Sequence, residues 1–74
     1  MDFDDRRIVI ASPDDRERLV AELWAEGEMW GEVNQEKGEL EIEIYPRKSG
    51  RPWQFRIGEL ERTLAEAKEK LATG

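Results

Sequence analysis

The chain has 74 residues, of which 41% are charged, with a formal net charge of −6, no histidine and no cysteine. A chain of this length forms one domain, residues 1–74, and buries too little surface for both a full core and a deep pocket. Without cysteine and histidine, disulfide bonds, thiolate chemistry, structural zinc and histidine-based catalytic triads are excluded.

The charge is divided unevenly along the sequence. Residues 1–43 contain 14 acidic and 5 basic residues, whereas residues 44–74 contain 4 acidic and 7 basic residues. The acidic first half disfavours nucleic acid and anionic membranes as partners, and it favours solubility or a basic partner. Residues 1–7 lack the apolar run of a signal peptide, and no stretch of the sequence is apolar enough to span a membrane. We therefore expect a cytoplasmic protein.

The first predicted element is a strand over residues 7–11, which read RIVIA and are rich in β-branched side chains. Residues 12–15, SPDD, have two interpretations. They are typical of a helix start, in which case residues 13–26 are helical and Gly27 ends the helix. They are also typical of a type I turn with Pro13 at its second position, which leads into a second strand.

We favour the strand because it gives a hairpin with one apolar face. With residues 25–27 as a three-residue loop, Trp24 pairs with Glu28 and Ala21 pairs with Gly31. A two-residue loop would instead mix the faces. The apolar face then contains Leu19, Ala21, Leu23, Met29, Gly31 and Val33. The opposite, outer face contains Val20, Glu22, Trp24, Trp30 and Glu32.

The next segments continue an antiparallel meander. Residues 35–38, QEKG, favour a turn with glycine at its end. Residues 39–45 alternate charged or polar with apolar side chains, which predicts a half-exposed strand. Residues 47–52 form a loop by composition. The alternating apolar side chains of residues 53–57 predict a short last strand.

The C-terminal part of the chain is predicted to be a helix. Its apolar residues recur at helical spacing and form one stripe: Ile57, Leu60, Leu64, Ala67 and Leu71. Glu66 and Lys70 can stabilise it as an i,i+4 pair. A meander needs a cover for its apolar face, which this helix supplies. The predicted fold is α+β, an antiparallel meander of four to five strands with one C-terminal α-helix packed on one face.

One run of the sequence carries a resemblance to known proteins. The run LVAELWAEGEMWGEVNQEKGELEIEIYP, followed by PWQF and a helix ending in AKEKL, resembles a group of small bacterial proteins of uncharacterised function. The likeness covers most of residues 19–71. It implies hairpin strands that precede a C-terminal helix, and it implies no activity.

Carboxylates are the remaining candidates for catalysis or metal binding. Four of them are expected on the outer sheet face: Glu22, Glu32, Glu41 and Glu43. An open sheet face supplies neither the burial nor the cleft that separates the pKa values of a catalytic pair. The aspartates in residues 2–5 and 14–15 lack the spacing of a calcium-binding loop. We therefore predict no catalytic, cofactor-binding or metal-binding residues, and no enzymatic activity.

Trp24 and Trp30 suggest a binding function, because exposed aromatic rings rimmed by charge are typical of contact hot spots. The alternative is cross-strand packing of the two rings. We predict a non-enzymatic acidic module that binds another protein with a basic surface, or a second copy of itself. The tryptophans would anchor the partner, with Tyr45 near them. The steering rim would be Glu22, Glu32, Glu41 and Glu43.

Two other functions remain open. An acidic inhibitor or immunity protein could occupy a nucleic-acid site on a toxin, nuclease or defence complex, since alternate glutamates lie about 6.8 Å apart along a strand. A nucleic-acid binder could use Arg47, Lys48 and Arg51 to neutralise phosphates and Trp53 to stack on bases. The alternation of Trp53 and Phe55 favours a place in the core, and the net charge disfavours nucleic acid.

Overall fold

The computed structural model describes residues 6–73, over which the chain forms four β-strands and one α-helix. In order they are β1 (Arg7–Ala11), β2 (Val20–Ala25), β3 (Glu28–Asn34), β4 (Glu41–Ile44) and α1 (Ile57–Thr73). The strands form one antiparallel sheet in the order β1-β2-β3-β4, and α1 packs on β1 and β2. The predicted α+β meander with a C-terminal helix is confirmed.

The segment before β2 is a turn and not a helix start. The backbone N–H of Arg16 donates to the carbonyl of Pro13 at 3.1 Å, so the turn runs from residue 13 to residue 16, one position later than predicted. Residues 20–25 are extended, and the alternative of a helix over residues 13–26 is wrong. The strand is favoured because its alternate residues face the helix and can be buried there.

The loop between β2 and β3 is shorter than predicted. Ala25 pairs with Glu28, which leaves Glu26 and Gly27 as a two-residue loop. Their φ angles are +54° and +75°, both left-handed, as in the type I′ turn that suits the twist of a hairpin. The prediction of a three-residue loop is therefore wrong.

A β-bulge in β3 gives the hairpin its apolar face. Trp24 pairs with Met29 and Leu23 with Gly31, so Trp30 is one extra residue on β3. The predicted pairing of Ala21 with Gly31 is wrong, as is that of Trp24 with Glu28. The extra residue reverses the alternation of side chains along β3, and it turns Trp30 towards α1.

Gly31 allows β3 and β4 to approach closely beside the bulge. A β-carbon at this position would lie 2.8 Å from the carbonyl oxygen of Glu43. Carbon atoms do not approach oxygen so closely, and the oxygen belongs to the backbone, which cannot rotate away. Glycine is therefore required by the register of the sheet at this point.

The core lies between α1 and the inner face of the sheet, which is the face towards the helix. Its buried apolar residues are Ala21, Leu23, Ala25, Trp30, Val33, Ala67 and Leu71. Leu60 and Leu64 pack against them, so the predicted helical stripe is confirmed from Leu60 onwards. Ile57 departs from it and is 69% exposed, because it stands at the first position of the helix. Glu66 and Lys70 form the predicted pair at 3.8 Å.

The predicted last strand over residues 53–57 does not form; residues 53–56 of the described chain join no ladder. Trp53 and Phe55 use their side chains to pack on the core. The indole N–H of Trp53 donates to the carbonyl of Tyr45 at 3.1 Å. This segment therefore crosses from the sheet to the helix layer and does not extend the sheet.

Arg6 ties the start of β1 to α1. Its guanidinium donates to the carbonyl of Glu59 at 2.9 Å and to the hydroxyl of Thr63 at 2.6 Å, and it forms an ion pair with the Glu59 carboxylate. The β1 edge of the sheet is therefore anchored to the helix. Across residues 6–73, the helix is neither long nor apolar enough to cross a membrane.

Candidate protein-interaction surface

The outer sheet face, which points away from α1, carries the four glutamates that the sequence places there. Glu22 pairs with Glu32, Glu32 pairs with Glu43, and Glu41 lies across from Asn34. Directly opposed residues of an antiparallel ladder point to the same side, so the predicted sharing of one face is confirmed. The surroundings of the four carboxylates, however, differ greatly.

Glu32 is an internal ion-pair partner. Its residue exposure is 6%, and its carboxylate lies 2.9 Å from the guanidinium of Arg16 in the β1–β2 loop. Arg16 also lies 3.0 Å from the carboxylate of Glu43, and the Asn34 amide donates to Glu32 at 3.2 Å. The prediction that Glu32 belongs to an exposed steering rim is wrong, because a loop residue neutralises and covers it.

Electrostatics favour the protonated forms of Arg16 and Tyr45 in this cluster. Desolvation lowers the pKa of Arg16, but attraction to Glu32 and Glu43 outweighs it and raises the pKa above its ordinary value. Burial raises the pKa of Tyr45, and the carboxylates of Glu32 and Glu43 raise it further. The neutral Tyr45 hydroxyl donates to Glu43 at 3.2 Å. The arrangement is a network of ion pairs and hydrogen bonds that holds Arg16 against β3 and β4.

A second contact holds the β1–β2 loop over the outer face. The backbone N–H groups of Glu17 and Arg18 donate to the Glu36 carboxylate at 3.2 and 3.3 Å. Val20, the first residue of β2, follows this loop and is fully buried although it points away from α1. The chain therefore covers part of its own outer face near β3 and β4.

The two tryptophans lie on opposite sides of the sheet. Trp24 is half-buried on the outer face, where its indole N–H donates to Glu22 at 3.1 Å and the Arg7 guanidinium lies 5.3 Å from its ring centroid. Trp30 is 2% exposed and packs in the core, with its ring centroid 4.6 Å from that of Phe55. The prediction that Trp30 is exposed beside Trp24 is wrong, because the bulge turns it inward.

The loop of residues 47–52, here called the basic loop, contacts the hairpin between β2 and β3. The Arg47 guanidinium lies 2.9 Å from the Glu26 carboxylate, and the backbone N–H of Lys48 donates to Glu28 at 2.8 Å. Arg47 also covers the ring of Trp53, with 4.8 Å between the guanidinium carbon and the ring centroid. Two glutamates of the acidic turn therefore hold this loop in place.

The ring of Trp53 contacts other residues of the protein. Its ring stacks on Phe55 with 6.0 Å between centroids and 7° between planes, and it packs against the core. The prediction that Trp53 and Phe55 belong to the core side is confirmed. Of the candidate nucleic-acid residues, Lys48 and Arg51 are exposed, whereas Arg47 and Trp53 contact other parts of the protein. Trp53 also lines, with Arg47 and Arg51, a concavity of about 300 Å³ on this loop.

An apolar surface on the inner side of β4 was not expected from the sequence. Leu40, Ile42 and Ile44 are 43%, 39% and 64% exposed. Ile42 pairs with Val33, and Ile44 pairs with Gly31, so this row points to the same side as the core. We call these three residues the β4 row.

The β4 row is exposed because one helix is too narrow for a four-stranded sheet. A helix with its side chains is about 10 Å across. Neighbouring strands are about 4.8 Å apart, so α1 covers roughly two of them. It lies on β1 and β2 and leaves the inner side of β4 in solvent. This width argument, together with the alternation of residues 39–45, was the signal in the sequence that could have predicted the surface.

A shallow concavity separates the β4 row from the helix. It has a volume of about 180 Å³ and is lined by Val33, Leu40, Glu41, Ile42, Leu64 and Lys68. Small-molecule pockets usually have at least about 300 Å³ and enclose most of the ligand. This concavity is smaller, and its size suits one or two apolar side chains of another protein.

The backbone of β4 also has a free side. The N–H of Tyr45 donates to the carbonyl of Trp30, directly opposite it, at 2.9 Å. Hydrogen-bonded and non-hydrogen-bonded pairs alternate along an antiparallel ladder. The backbone groups of Glu43 therefore point to β3, and those of Ile42 and Ile44 point away from it. Within the described chain, β3 is the one strand that neighbours β4.

No family model matches the chain, and neither curated proteins nor solved structures gave a significant match. Within residues 6–73 no group of three or more acidic side chains is placed to hold a metal ion. The aspartates in residues 2–5 lie outside the described residues. The resemblance to small bacterial proteins and the cytoplasmic location stay predictions.

Proposed function

We propose that this chain is a non-enzymatic protein-binding module and that its contact surface is the β4 row with the adjoining strand edge. The observation that carries the proposal is the exposure of three large apolar side chains, Ile42 and Ile44 on the edge strand β4 and Leu40 directly before it. Single exposed apolar residues are ordinary, but a contiguous row beside free backbone groups favours a contact with another chain.

The apolar row can supply a useful part of a binding free energy. Burying a whole leucine or isoleucine side chain contributes about 1.5–3 kcal/mol. The three side chains are each partly exposed already, so together they offer roughly 2–4 kcal/mol on the same scale. Since about 1.4 kcal/mol is a tenfold change in affinity, loss of the row should weaken binding by one to three orders of magnitude.

Charge plays a smaller part in this proposal than the sequence alone predicts. Glu32 and Glu26 are neutralised by Arg16 and Arg47. Glu41 is the less tightly paired acid of β4, because its ion pair with Lys37 spans 3.9 Å whereas Glu43 lies 3.0 Å from Arg16. A basic partner is therefore still favoured, with the attraction concentrated at β4.

A second candidate function is an acidic inhibitor or immunity protein that occupies a nucleic-acid site on its target. The observation that favours it is the position of Glu41 and Glu43 on one exposed strand, with side chains 46% and 49% exposed. Binding of nucleic acid itself has less support, because Arg47 and Trp53 are engaged within the protein.

The test is a quantitative pull-down from nuclease-treated lysate with four baits: wild type, Ile44→Thr, Ile57→Thr and Trp24→Ala. Ile57 is the matched control because it is a similarly exposed isoleucine on the helix. Circular dichroism must first show that each variant is folded.

The proposal predicts a protein that the wild type, the Ile57→Thr and the Trp24→Ala baits recover in similar amounts and the Ile44→Thr bait recovers in a clearly smaller amount. A protein that is lost with Trp24→Ala and retained with Ile44→Thr would contradict it. That result would move the contact to the outer face, as the sequence predicts.

A further inference from the structure

We propose that the occupant of the β4 edge is an extended segment of a partner protein, in which apolar and basic residues alternate, and that this segment adds to the sheet as a fifth strand. The inference rests on the proposed function and names the chemistry of the partner. Three features of β4 point to it: the direction of its backbone groups, its apolar inner side and its acidic outer side.

The backbone of β4 is ready to pair with another strand. The N–H and C=O groups of Ile42 and Ile44 point away from β3, since the opposed pair of Tyr45 and Trp30 fixes the alternation of the ladder. An added strand would satisfy these groups with main-chain hydrogen bonds. This mode of recognition takes its affinity from the backbone and its specificity from alternate side chains.

The inner side of β4 selects apolar residues in the added strand. Side chains opposite the β4 row would lie next to Ile42 and Ile44 and continue the apolar surface. The concavity between β4 and α1, of about 180 Å³, adjoins this row at Leu40 and Leu64. Every second residue of the partner segment is therefore expected to be apolar.

The outer side of β4 selects basic residues at the positions between them. Glu41 and Glu43 point outwards and are about half exposed. Directly opposed side chains of an added strand would lie about 5 Å from them. Lysine or arginine there would be attracted to these carboxylates, and glutamate or aspartate would be repelled.

A second copy of the chain fits the edge less well. Antiparallel pairing of β4 with itself opposes at least two residues of each apolar row in three registers, centred on Glu41, Ile42 or Glu43. Each register also opposes glutamates: Glu41 to Glu41, Glu41 to Glu43, or Glu43 to Glu43. Like charges that are directly opposed in a sheet are destabilising. The charge pattern of β4 therefore favours a different, basic segment.

The test uses the full chain labelled with ¹⁵N and three synthetic capped peptides. One peptide alternates lysine and valine, one alternates glutamate and valine, and one has the composition of the first with its lysines and valines in two blocks. The expected result is saturable shifts of the Ile42 and Ile44 amide signals with the first peptide. Its affinity should be at least about tenfold higher than that of the other two, and it should fall as salt is added.

Two variants separate strand addition from simple apolar contact. Ile44→Pro removes an N–H that points away from β3, so it should leave the β3–β4 ladder intact and weaken peptide binding at least about tenfold. Ile44→Thr keeps the N–H and should retain part of the binding. Circular dichroism and thermal unfolding check that both variants keep the fold.

Three results would overturn the inference. Normal binding by Ile44→Pro together with its loss in Ile44→Thr would mean apolar docking without strand addition. Equal binding of the three peptides would show that β4 does not select alternating basic residues. Concentration-dependent dimerisation that Ile44→Pro abolishes would make a second copy the occupant. If the pull-down still shows weaker recovery of a target by the Ile44→Thr bait, the proposed function is supported whichever of these three results is obtained.

Discussion

Substitution of Gly31 by alanine should destabilise the protein markedly, because the bulge brings this residue against β4. The new β-carbon would lie 2.8 Å from the carbonyl oxygen of Glu43. That oxygen is part of the β3–β4 ladder, so the two strands must separate by a few tenths of an ångström. Forcing an extra carbon into a closely packed site typically costs about 1–3 kcal/mol. A domain of this size has about 4–11 kcal/mol of stability in total.

Urea denaturation followed by tryptophan fluorescence would measure this loss, with Gly58→Ala as the matched control. A β-carbon at Gly58 would meet no atom within 4 Å among the described residues, and the position is inside α1. Alanine is the better helix former, so this variant should gain up to about 1 kcal/mol. If Gly31→Ala were as stable as Gly58→Ala, Gly31 would not face Glu43. The bulged register, and the inward direction of Trp30 that follows from it, would then be wrong.

Three further outcomes are expected. Trp30→Ala should cost about 3–5 kcal/mol of unfolding free energy, and Trp24→Ala should cost clearly less, because the ring of Trp30 is buried and that of Trp24 is not fully buried. Equal losses in urea denaturation monitored by circular dichroism would contradict this. Tyr45 has a raised pKa, so the folded protein holds its proton more tightly than the unfolded chain. The stability that comes from the neutral phenol is complete below the pKa of about 10 in the unfolded chain, and it is lost as pH rises through the higher pKa of the folded protein. The urea midpoint should therefore fall over this pH range, and the fall should be smaller in Tyr45→Phe. Glu26→Asn should leave the thermal midpoint within a few degrees of wild type. Asparagine suits the left-handed turn position, and the exposed ion pair that is lost with Arg47 contributes at most about 1 kcal/mol. A large drop in the thermal midpoint would show that the ion pair dominates.

The regular elements were predictable because their signals are local. The stripe from Leu60 to Leu71 has helical period, and the alternation of residues 39–45 has the period of a strand. The bulge at Trp30 was not predictable in this way. It depends on the close approach of Gly31 to a strand twelve residues further along the chain, and on a turn in which Glu26, not asparagine or glycine, takes a left-handed conformation.

The candidate site was also predictable from the sequence only in part. The period of the strands placed Glu22, Glu32 and Glu43 on one face, as the structure has them. Their exposure was decided by Arg16, which reaches across the sheet from a loop that is distant in sequence. The exposed β4 row followed from the width of α1 relative to the sheet, so the alternation of residues 39–45 predicts it only when it is combined with that width.

The most direct test of β4 as the contact surface is site-specific photo-crosslinking in cells. A photoreactive phenylalanine analogue would replace Ile44 in one variant, Trp24 in a second and Ile57 in a third. All three positions reach solvent, so each can report a neighbouring protein. If β4 is the contact surface, we expect a discrete protein adduct from position 44 and none from positions 24 and 57. An adduct from position 24 with none from position 44 would contradict it and return the binding site to the outer face.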